Sequence, residues 1–451
     1  MINKCIKIMK VSPYILFTLI ISLFTITQST VTVSFTSPTT NEGYTISDNV
    51  VTISGAGPFE FTGEQEDKKI IIASSCTINF KDFILTNDEE LTPLIINENI
   101  EVRLVLEGES TLEDSPNNEN DGTIYLKSGA SLIISGDGIL NINPNKYMAI
   151  NGTDDTSLTV NGGDIMISSE SNTVGGIYLK KEINFNNANF YYNCENGIHH
   201  AIDSEGNIKL LKGEYSIDSG RGKGIHSEKY IQIGIENGET SDIYLKISTF
   251  DEGIQAMGIT IFSGETIINS HEDGINADSS GNECDEECNG NCACFININD
   301  GLLNIISEED GLDSNGDITI SGGHTIIFAA SQGEGRPIDQ EGLFSVNGGS
   351  IIAAGSNSMS GLKAETTQVE KIYRGTINEE DYVAISENDV EIYNFKAPKK
   401  ANYIYFNFES SFTVEVNNAQ IKLLNPNEVS SDFGSCLFVS YLMVLFGIIL
   451  L

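Results

Sequence analysis

One short turn recurs along the middle of this chain: two acidic residues, a glycine and an aliphatic residue, followed by a β-type run. Its clearest copies are Asp251–Ile254, Glu272–Ile275 and Glu309–Leu312. Gly253 and Gly274 lie 21 residues apart, whereas Gly274 and Gly311 lie 37 apart because a cysteine-rich segment intervenes. A period of roughly 20–30 residues built from short strands is typical of a β-solenoid.

The rest of the chain up to residue 360 agrees with this interpretation. Short alternating apolar and polar runs are separated by Gly, Asn and Asp, a pattern typical of strands and turns. Gly-Gly corners recur at Asn161–Gly163, Ser321–Gly323 and Asn347–Gly349, where glycine supplies positive φ. We therefore predict an all-β fold, a right-handed single-stranded parallel β-helix over residues 49–360. Residues 31–48 are expected to cap its first coil, and residues 361–427 to form a small β-rich C-terminal cap.

The charge of the chain restricts its partners. Its 451 residues carry a formal net charge of −39. Such a surface repels nucleic acid and anionic membranes, because it cannot displace the counterions of phosphates. We therefore expect no nucleic-acid partner. The same surface attracts divalent cations.

Both ends of the chain carry targeting patterns. Residues 1–30 read as a secretory signal peptide, with Lys4, Lys7 and Lys10 before an apolar run. The apolar tail within 428–451 is shorter than the ~20 residues that span a bilayer and follows small residues. This arrangement indicates a GPI-attachment signal, with a direct tail anchor as the alternative. The expected location is the outer cell surface, with membrane contact only through this anchor.

The cysteines and one sequon fit an exported protein. Four cysteines crowd the insertion 279–294, where two disulfides are expected and a zinc site is the alternative; they are Cys284, Cys288, Cys292 and Cys294. Cys76 and Cys194 fall in β-type runs and are predicted to be buried free thiols. The sequon at Asn151 lies on what reads as a Gly-rich turn, and N-glycosylation is expected there.

The repeated turn predicts columns of acidic residues. Successive coils of a β-helix lie ~4.8 Å apart, so residues at equivalent positions stack. Stacked like charges repel by ~1 kcal/mol per pair even in water, and calcium would neutralise them with oxygen ligands. Solvated turn acids beside a required glycine are the alternative. The predicted calcium ligands are Asp251, Glu252, Glu272, Asp273, Asp278, Glu309, Asp310 and Asp313.

Earlier copies of the turn lack the acid. Asn196 and Lys223 stand at the corresponding positions, so no metal is expected in those coils. Lys223 is instead a candidate internal counter-charge for the acidic columns.

Several segments resemble the bacterial calcium-binding, pectate-lyase-like β-helix proteins of a carbohydrate-binding domain family. The similarity is carried by Gly311–Gly323, Pro337–Gly342 and Gly348–Gly355, and extends over roughly residues 45–360. It implies a right-handed parallel β-helix, calcium at acidic turns, and binding without cleavage of acidic polysaccharide such as polygalacturonate. Exposed aromatic residues such as Tyr191 and Tyr192 could add stacking to sugar rings, but burial or edge packing is the expectation for each of them singly.

Two other functions share these features. A structural or adhesive surface protein would use calcium only to stiffen the solenoid. A calcium-dependent polysaccharide lyase would need a base, and the candidates stand in no evident constellation with the acids; they are Arg221, Lys223, Arg336, His199, His200, His226 and His271. A hydrolase using two acids on adjacent coils is also conceivable. We therefore expect a non-enzymatic protein.

Overall fold

The structure, a computed structural model, describes residues 30–35, 43–236, 242–278, 294–333, 335–356 and 362–426. Within these residues the regular structure is β-strand, without any α-helix. The described part of the chain accordingly holds no helix suited to crossing a membrane. The predicted signal peptide and anchor, and the cysteine-rich insertion apart from Cys294, lie outside the described residues.

The strands follow one another with short turns throughout. Those of the N-terminal segment and the coils are β1 (Val31–Thr32), β2 (Tyr44–Ser47), β3 (Val50–Ile53), β4 (Phe59–Glu66), β5 (Lys69–Ile72), β6 (Cys76–Thr86), β7 (Leu94–Ile96), β8 (Glu101–Glu107), β9 (Glu109–Glu113), β10 (Gly122–Leu126), β11 (Ser131–Gly136), β12 (Ile139–Asn143), β13 (Met148–Gly152), β14 (Ser157–Val160), β15 (Asp164–Ser168), β16 (Gly175–Leu179), β17 (Glu182–Phe185), β18 (Asn189–Asn193), β19 (Ile202–Ser204), β20 (Asn207–Leu210), β21 (Gly213–Asp218), β22 (Ile225–Ile233), β23 (Ile243–Thr249), β24 (Ile254–Ile261), β25 (Glu265–Ser270), β26 (Ile275–Ala277), β27 (Phe295–Ile298), β28 (Leu302–Ser307), β29 (Leu312–Ser314), β30 (Asp317–Ile320), β31 (His324–Phe328), β32 (Ile338–Gln340), β33 (Phe344–Val346) and β34 (Ser350–Gly355). The C-terminal strands are β35 (Glu365–Thr366), β36 (Val369–Tyr373), β37 (Tyr382–Glu387), β38 (Val390–Lys396), β39 (Tyr403–Phe408), β40 (Phe412–Val416) and β41 (Ala419–Gln420).

Parallel pairing between strands of successive coils makes a β-solenoid of about 11 turns. Each coil contributes to a first, a second and a third face in chain order, as β10, β11 and β12 do by pairing with β13, β14 and β15. The prediction of an all-β parallel solenoid is confirmed. The longer strands β22 and β24 each run from the first face onto the second.

The core is a set of aliphatic ladders inside the coil. On the first face, aligned residues from Ile70 to Ile338 form one uninterrupted ladder. These side chains are buried because the pleat turns every second residue inward. Residues between them point outward, and this alternation leaves the outer surface of the first face available for polar side chains.

The Gly-Gly corners behave as expected. The second glycine of each predicted corner has positive φ, with values of +86° at Gly163, +70° at Gly323 and +76° at Gly349. An added Cβ at Gly323 would also lie 2.4 Å from the carbonyl oxygen of Gly301 on the previous coil. Glycine is therefore required there both by backbone conformation and by the close spacing of the coils.

Both ends of the parallel stack are closed by antiparallel pairing. At the start, β2 forms a hairpin with β3. At the end, β39 pairs antiparallel with β34 of the last coil and with β36. A separate four-stranded sheet in the order β38-β37-β40-β41 completes the C-terminal region around its own apolar cluster. Antiparallel closure stops further parallel addition at these edges.

Three smaller predictions can be compared with the structure. Cys76 and Cys194 are buried free thiols, as predicted. Asn151 lies within strand β13 and not on an exposed turn; it is only 8% exposed, and its Nδ2 donates to Asp121 O at 2.7 Å. Tyr192 is 2% exposed in the core and offers no surface for stacking. The turn placement of Asn151 was therefore wrong, whereas the expected burial of Tyr192 is confirmed. In both cases the residue falls on a position that the coil register turns inward or packs tightly.

Candidate functional site

The repeated acidic turn connects the third face to the first. A buried hydroxyl at the end of each third-face strand holds this turn. Thr249 Oγ1 donates to Gly222 O at 2.7 Å and accepts the Asp251 N–H at 3.0 Å. Ser270 Oγ donates to Glu272 O at 3.1 Å, and Ser307 Oγ donates to Glu309 O at 3.4 Å. The acidic residues are thus carried on a backbone fixed to the core.

The glycine of the turn is required by packing. A Cβ on Gly274 would lie 2.4 Å from Ile305 Cγ2 and 2.6 Å from the carbonyl oxygen of Gly311. The same position on the neighbouring coil, Gly253, would clash with Ile268 Cγ2 at 2.4 Å. Because the core isoleucine and the next coil both approach this atom, the turn lies tightly against the solenoid, and its acids face a partly dry surface.

Residues that precede these glycines stack into one column. The Gly253 N–H donates to Asp273 O, and the Gly274 N–H donates to Asp310 O, both at 2.9 Å. The same ladder extends to basic residues at either side. We call this the acid column; in coil order it comprises Lys223, Glu252, Asp273, Asp310 and Arg336. The stacking of Glu252, Asp273 and Asp310 follows the sequence prediction, and the basic residue at each end limits the unbalanced charge.

The adjoining acids come together at one end of the acid column. One oxygen each of Asp251, Glu252 and Glu272 lies within 4.8 Å of the others. We call these three residues the first carboxylate group. Lys223 Nζ forms a salt bridge with Glu252 Oε2 and lies 3.4 Å from Asp251 Oδ1. The counter-charge predicted for Lys223 is confirmed.

Burial and close contact shift the pKa values of the three carboxyl groups in different directions. Burial, and then the hydrogen bond with Asp251, raise the pKa of Glu252 to about 7. Burial acts to raise the pKa of Asp251 as well, but hydrogen bonds with Glu252 and the charge of Lys223 bring it below its ordinary value. Burial, followed by repulsion from Asp251 and Glu309, raises the pKa of Glu272. Near neutral pH, Asp251 and Glu252 therefore share a proton.

A second carboxylate group, Asp273, Asp310 and Asp313, continues along the same surface. Asp273 Oδ1 accepts the main-chain N–H of Asp310 at 2.9 Å, and Asp310 Oδ1 accepts the main-chain N–H of Arg336. Asp313 lies on the first face in register with Asn276 and Asp339. No described lysine or arginine side chain forms a salt bridge with these three residues; Arg336 pairs through Nη1 with Asp339 at 2.7 Å.

The pKa values of the second group rise strongly. Burial is the largest cause at each residue, and it raises the pKa of Asp273 to about 7, of Asp310 to about 6 and of Asp313 to about 7. Repulsion adds to this, since Asp313 and Asp310 act on Asp273 and Asp339 acts on Asp313. A divalent cation would favour the charged forms of these oxygens, and oxygen-only donors suit calcium.

Two predicted ligands lie apart from these groups. Asp278 follows β26, and its Oδ1 accepts a hydrogen bond from Asn315 Nδ2 at 2.9 Å. Its charge is one of several that raise the pKa of Asp313 by repulsion. Repulsion from Glu309 raises the pKa of Glu272. Glu309 also lines an open cleft together with Asp310 and Arg336. Of the predicted ligands that the structure describes, only Asp251, Glu252 and Glu272 form a cluster of close ligand atoms.

A second column runs beside the acid column. It contains the central residue of each Ile-x-Ala-like strand of the first face, in the order Asp203, His226, Gln255, Asn276, Asp313 and Asp339. Of these, the predicted calcium ligands included only Asp313, and His226 was predicted only as a candidate base. A period-two reading of the strands would have found the others, because these residues alternate with the inward isoleucines.

Two histidines, one before and one after Lys223 in the chain, lie close together on neighbouring coils. Ligand atoms of His200, Asp203 and His226 lie within 4.8 Å of one another. His226 Nδ1 bonds Asp203 Oδ1 at 2.7 Å, and His200 Nδ1 accepts the Lys223 N–H at 2.9 Å. Burial lowers the pKa of His200 to about 4, so this ring is neutral. With its lone pair engaged by the main chain, His200 is a poor metal ligand in this arrangement.

Comparison with known proteins identifies one family. The family model described as carbohydrate-binding domain-containing protein matches residues 47–244 and 240–397. No curated protein matches the chain, and no solved structure matches it. The two matched stretches cover the coils, both carboxylate groups and part of the C-terminal cap. The chain therefore belongs to the family of carbohydrate-binding domain-containing proteins.

Proposed function

We propose that this chain is a non-catalytic, calcium-dependent binder of acidic polysaccharide such as polygalacturonate, exported and held at the cell surface by its C-terminus. The observation that carries the proposal is the second carboxylate group. It places three half-buried aspartates, Asp273, Asp310 and Asp313, on one surface without a described basic side chain bridging them. The match of the chain to the carbohydrate-binding domain-containing family supports a glycan as the ligand.

The residues present fit calcium better than other metals. All the donors in both carboxylate groups are oxygens, and calcium accepts about 6–8 oxygens in adaptable geometry. In the second group, Asp273 and Asp310 each use one oxygen to accept a main-chain N–H, which orients the other. In the first group Lys223 already neutralises part of the charge. The second group is therefore the stronger candidate for calcium.

Calcium would serve the sugar as well as the protein. A protein with a formal charge of −39 repels a polyanion. A bound divalent cation supplies positive charge at the surface and can share coordination with a uronate carboxylate. The chain's own contribution is to hold Asp273, Asp310 and Asp313 in register and to keep them partly dehydrated.

The test is a pair of titrations on the exported chain. Calorimetry with Ca²⁺ should show binding that Asp273→Asn weakens at least about tenfold, as expected on removing one charged ligand. Asp137→Asn, an exposed turn aspartate on another surface, is the matched control and should leave binding unchanged. Polygalacturonate should then bind in calcium and dissociate in chelator.

Each outcome bears on the proposal. Calcium binding with no retention of polygalacturonate would favour the structural or adhesive role, in which the metal only stiffens the coil. Retention that is unaffected by chelator would show that the sugar site does not use calcium. Absence of calcium binding at millimolar concentrations would contradict the assignment of the second carboxylate group.

One observation favours a lyase as the second candidate. The hydrogen bond between His226 Nδ1 and Asp203 Oδ1 would orient the ring and leave Nε2 as a base. In β-elimination such a base removes the proton on the carbon beside the uronate carboxylate, and that electron pair forms a C=C bond. The glycosidic C–O bond breaks, and its oxygen leaves with the other sugar as a hydroxyl after taking a proton from water. Unsaturated product released by the purified chain and abolished in His226→Gln would establish this activity; its absence would support binding alone.

A further inference from the structure

Phe250 is the most exposed aromatic side chain among the described residues, with 60% of its surface accessible. It stands in the acidic turn itself, directly before Asp251 of the first carboxylate group. An isolated exposed phenylalanine is unremarkable on a protein surface. This one differs because a second ring supports it and because its backbone is held on both sides.

The supporting ring is His271 on the next coil. The two rings are stacked, with centroids 4.5 Å apart and planes at 14°. Thr249 pairs with Ser270, so the residues that follow them occupy the same turn position on consecutive coils. One face of Phe250 is thus covered by His271, while the rest of the ring remains open to solvent.

The backbone around Phe250 is fixed by hydrogen bonds. The Phe250 N–H donates to Gly220 O at 2.6 Å, and the His271 N–H donates to Thr249 O at 3.1 Å. Thr249 Oγ1 accepts the Asp251 N–H at 3.0 Å. The ring is therefore presented from an ordered turn, and a ligand that packs on it would not first have to order the backbone.

The position of this pair relative to the acids is specific. Asp251 and Glu272, which follow Phe250 and His271 in the two turns, both belong to the first carboxylate group. An apolar ring surface is thereby placed at the edge of an oxygen-rich cluster. A pyranose of galacto configuration has a matching pair of features, a patch of C–H groups on one ring face and polar groups around its rim.

We propose that Phe250, supported by His271, is a stacking platform for one galacto-configured pyranose ring of the bound polysaccharide. The inference rests on the proposed function, since it assigns a ring-binding subsite beside the first carboxylate group, on the surface that also carries the proposed calcium site. The C–H face of the sugar packs on the exposed surface of Phe250. The hydroxyls on its rim then face the turn that carries Asp251 and Glu272, whose carboxylate oxygens can accept hydrogen bonds from them.

The test measures binding of a defined oligogalacturonate to the exported chain in calcium, by calorimetry and by saturation-transfer NMR. Phe250→Ala should weaken binding about tenfold, equivalent to about 1.4 kcal/mol. Phe250→Tyr should stay within about twofold of the parent chain, because it keeps the ring. Calcium affinity should be unchanged in both variants.

A matched control is available on another surface. Tyr230 is 43% exposed and also stacks on a neighbouring ring, Phe295, at 5.9 Å. Tyr230→Ala should leave oligogalacturonate binding unchanged. The sugar C–H resonances saturated from the parent chain should lose intensity with Phe250→Ala and keep it with Tyr230→Ala, a readout that a general loss of stability would not give.

The outcomes separate the platform from the function. If Phe250→Ala binds the oligosaccharide as tightly as the parent chain, the platform is wrong and calcium-dependent binding stands. If the parent chain itself fails to bind oligogalacturonate in calcium, the proposed function fails and the platform with it. Equal losses in Phe250→Ala and Tyr230→Ala would also overturn the assignment.

Discussion

Asp273 on one coil accepts the main-chain N–H of Asp310 on the next through Oδ1, at 2.9 Å. The same contact is repeated one coil further, where Asp310 accepts the N–H of Arg336. An aspartate at this position therefore has a structural role before any metal is considered: it caps the turn above it. The second oxygen of Asp273 accepts only a long hydrogen bond from Asn276 Nδ2, at 3.5 Å, so that oxygen and the charge can still serve a ligand.

This double role predicts that Asp273→Asn and Asp273→Ala differ in their effect on the stability of the chain. The asparagine keeps an oxygen acceptor and removes a repelled charge, so stability in chelator should be equal to or above that of the parent chain. The alanine leaves the Asp310 N–H unpaired and should cost about 1–3 kcal/mol. Both should weaken calcium binding. Thermal unfolding in chelator and calorimetry in Ca²⁺ measure the two effects.

Asn196→Ala provides a control for that pair, because Asn196 lies in a turn that lacks the acid. The predicted alignment of Asn196 with the acid column was wrong: the Ala201 N–H donates to Lys223 O, which puts His200 in register with Lys223. Asn196→Ala should leave calcium affinity unchanged. Equal losses of calcium affinity in Asp273→Ala and Asn196→Ala would contradict the assignment of metal to the acidic copies.

Stability in the absence of calcium should fall as pH rises from about 4 to about 8. Asp273 and Asp313 have folded pKa values of about 7, and Asp310 of about 6; all lie above the unfolded value of about 3.9. The folded state then binds more protons than the unfolded state in this window, so deprotonation favours unfolding. Unfolding followed against pH in chelator should show the loss.

The size of this effect is best isolated by difference. A double variant, Asp273→Asn with Asp313→Asn, should flatten the pH dependence by about 1–2 kcal/mol, a few degrees or less in Tm for a chain of this size. Saturating calcium should have a similar flattening effect on the parent chain, because the cation stabilises the charged carboxylates. A parent chain whose stability rises across the window relative to the double variant would show that these residues are not repelled when charged.

Removal of Lys223 should destabilise the solenoid. Its ammonium pairs with Glu252 and Asp251 in a half-buried site, so Lys223→Met leaves their charge uncompensated. The expected loss is about 2–4 kcal/mol at pH 8, and it should shrink at pH 5 as Glu252 takes up a proton. Denaturant unfolding at the two pH values measures it.

A second change should rescue this variant. Lys223→Met combined with Glu252→Gln removes both members of the pair and should recover most of the lost stability. Calcium should also stabilise the Lys223→Met variant more than the parent chain, since the competing ammonium is gone. If Lys223→Met is as stable as the parent chain at pH 8, the ion pair contributes nothing.

The burial of Asn151 predicts that the folded protein carries no glycan there. Its Nδ2 is the atom that would bear the sugar, and it donates to Asp121 O at 2.7 Å within strand β13. Mass spectrometry of the chain secreted from a glycosylating host should find Asn151 unmodified. A glycan at full occupancy would require this strand to be rearranged.

Some features could be predicted from residue order alone because they are periodic. The recurrence of Gly253, Gly274 and Gly311 at a fixed place before each strand is enough to indicate stacking coils. The same spacing placed Glu252, Asp273 and Asp310 in one column, and the structure confirms it. It also indicated Lys223 as a counter-charge, because a lysine replaces an acid at an aligned position.

Other features depend on contacts between coils that no spacing reveals. Whether a carboxylate meets a lysine, a main-chain N–H or another carboxylate depends on side-chain direction and on the course of each turn. Asp278 was predicted as a calcium ligand but accepts a hydrogen bond from Asn315. Asp203 and Asp339 were not predicted but lie in the second column. Asn151 reads as a turn residue but is packed within strand β13.

The sequence by itself determined the solenoid, its glycine corners and the acid column, because a coil repeats the same position at a constant rise and needs no distant information. Only the tertiary structure decided the close approach of Asp251, Glu252 and Glu272 and the pairing of Phe250 with His271. The physical reason is that both result from distances of a few ångströms between neighbouring coils, which determine burial, repulsion and stacking.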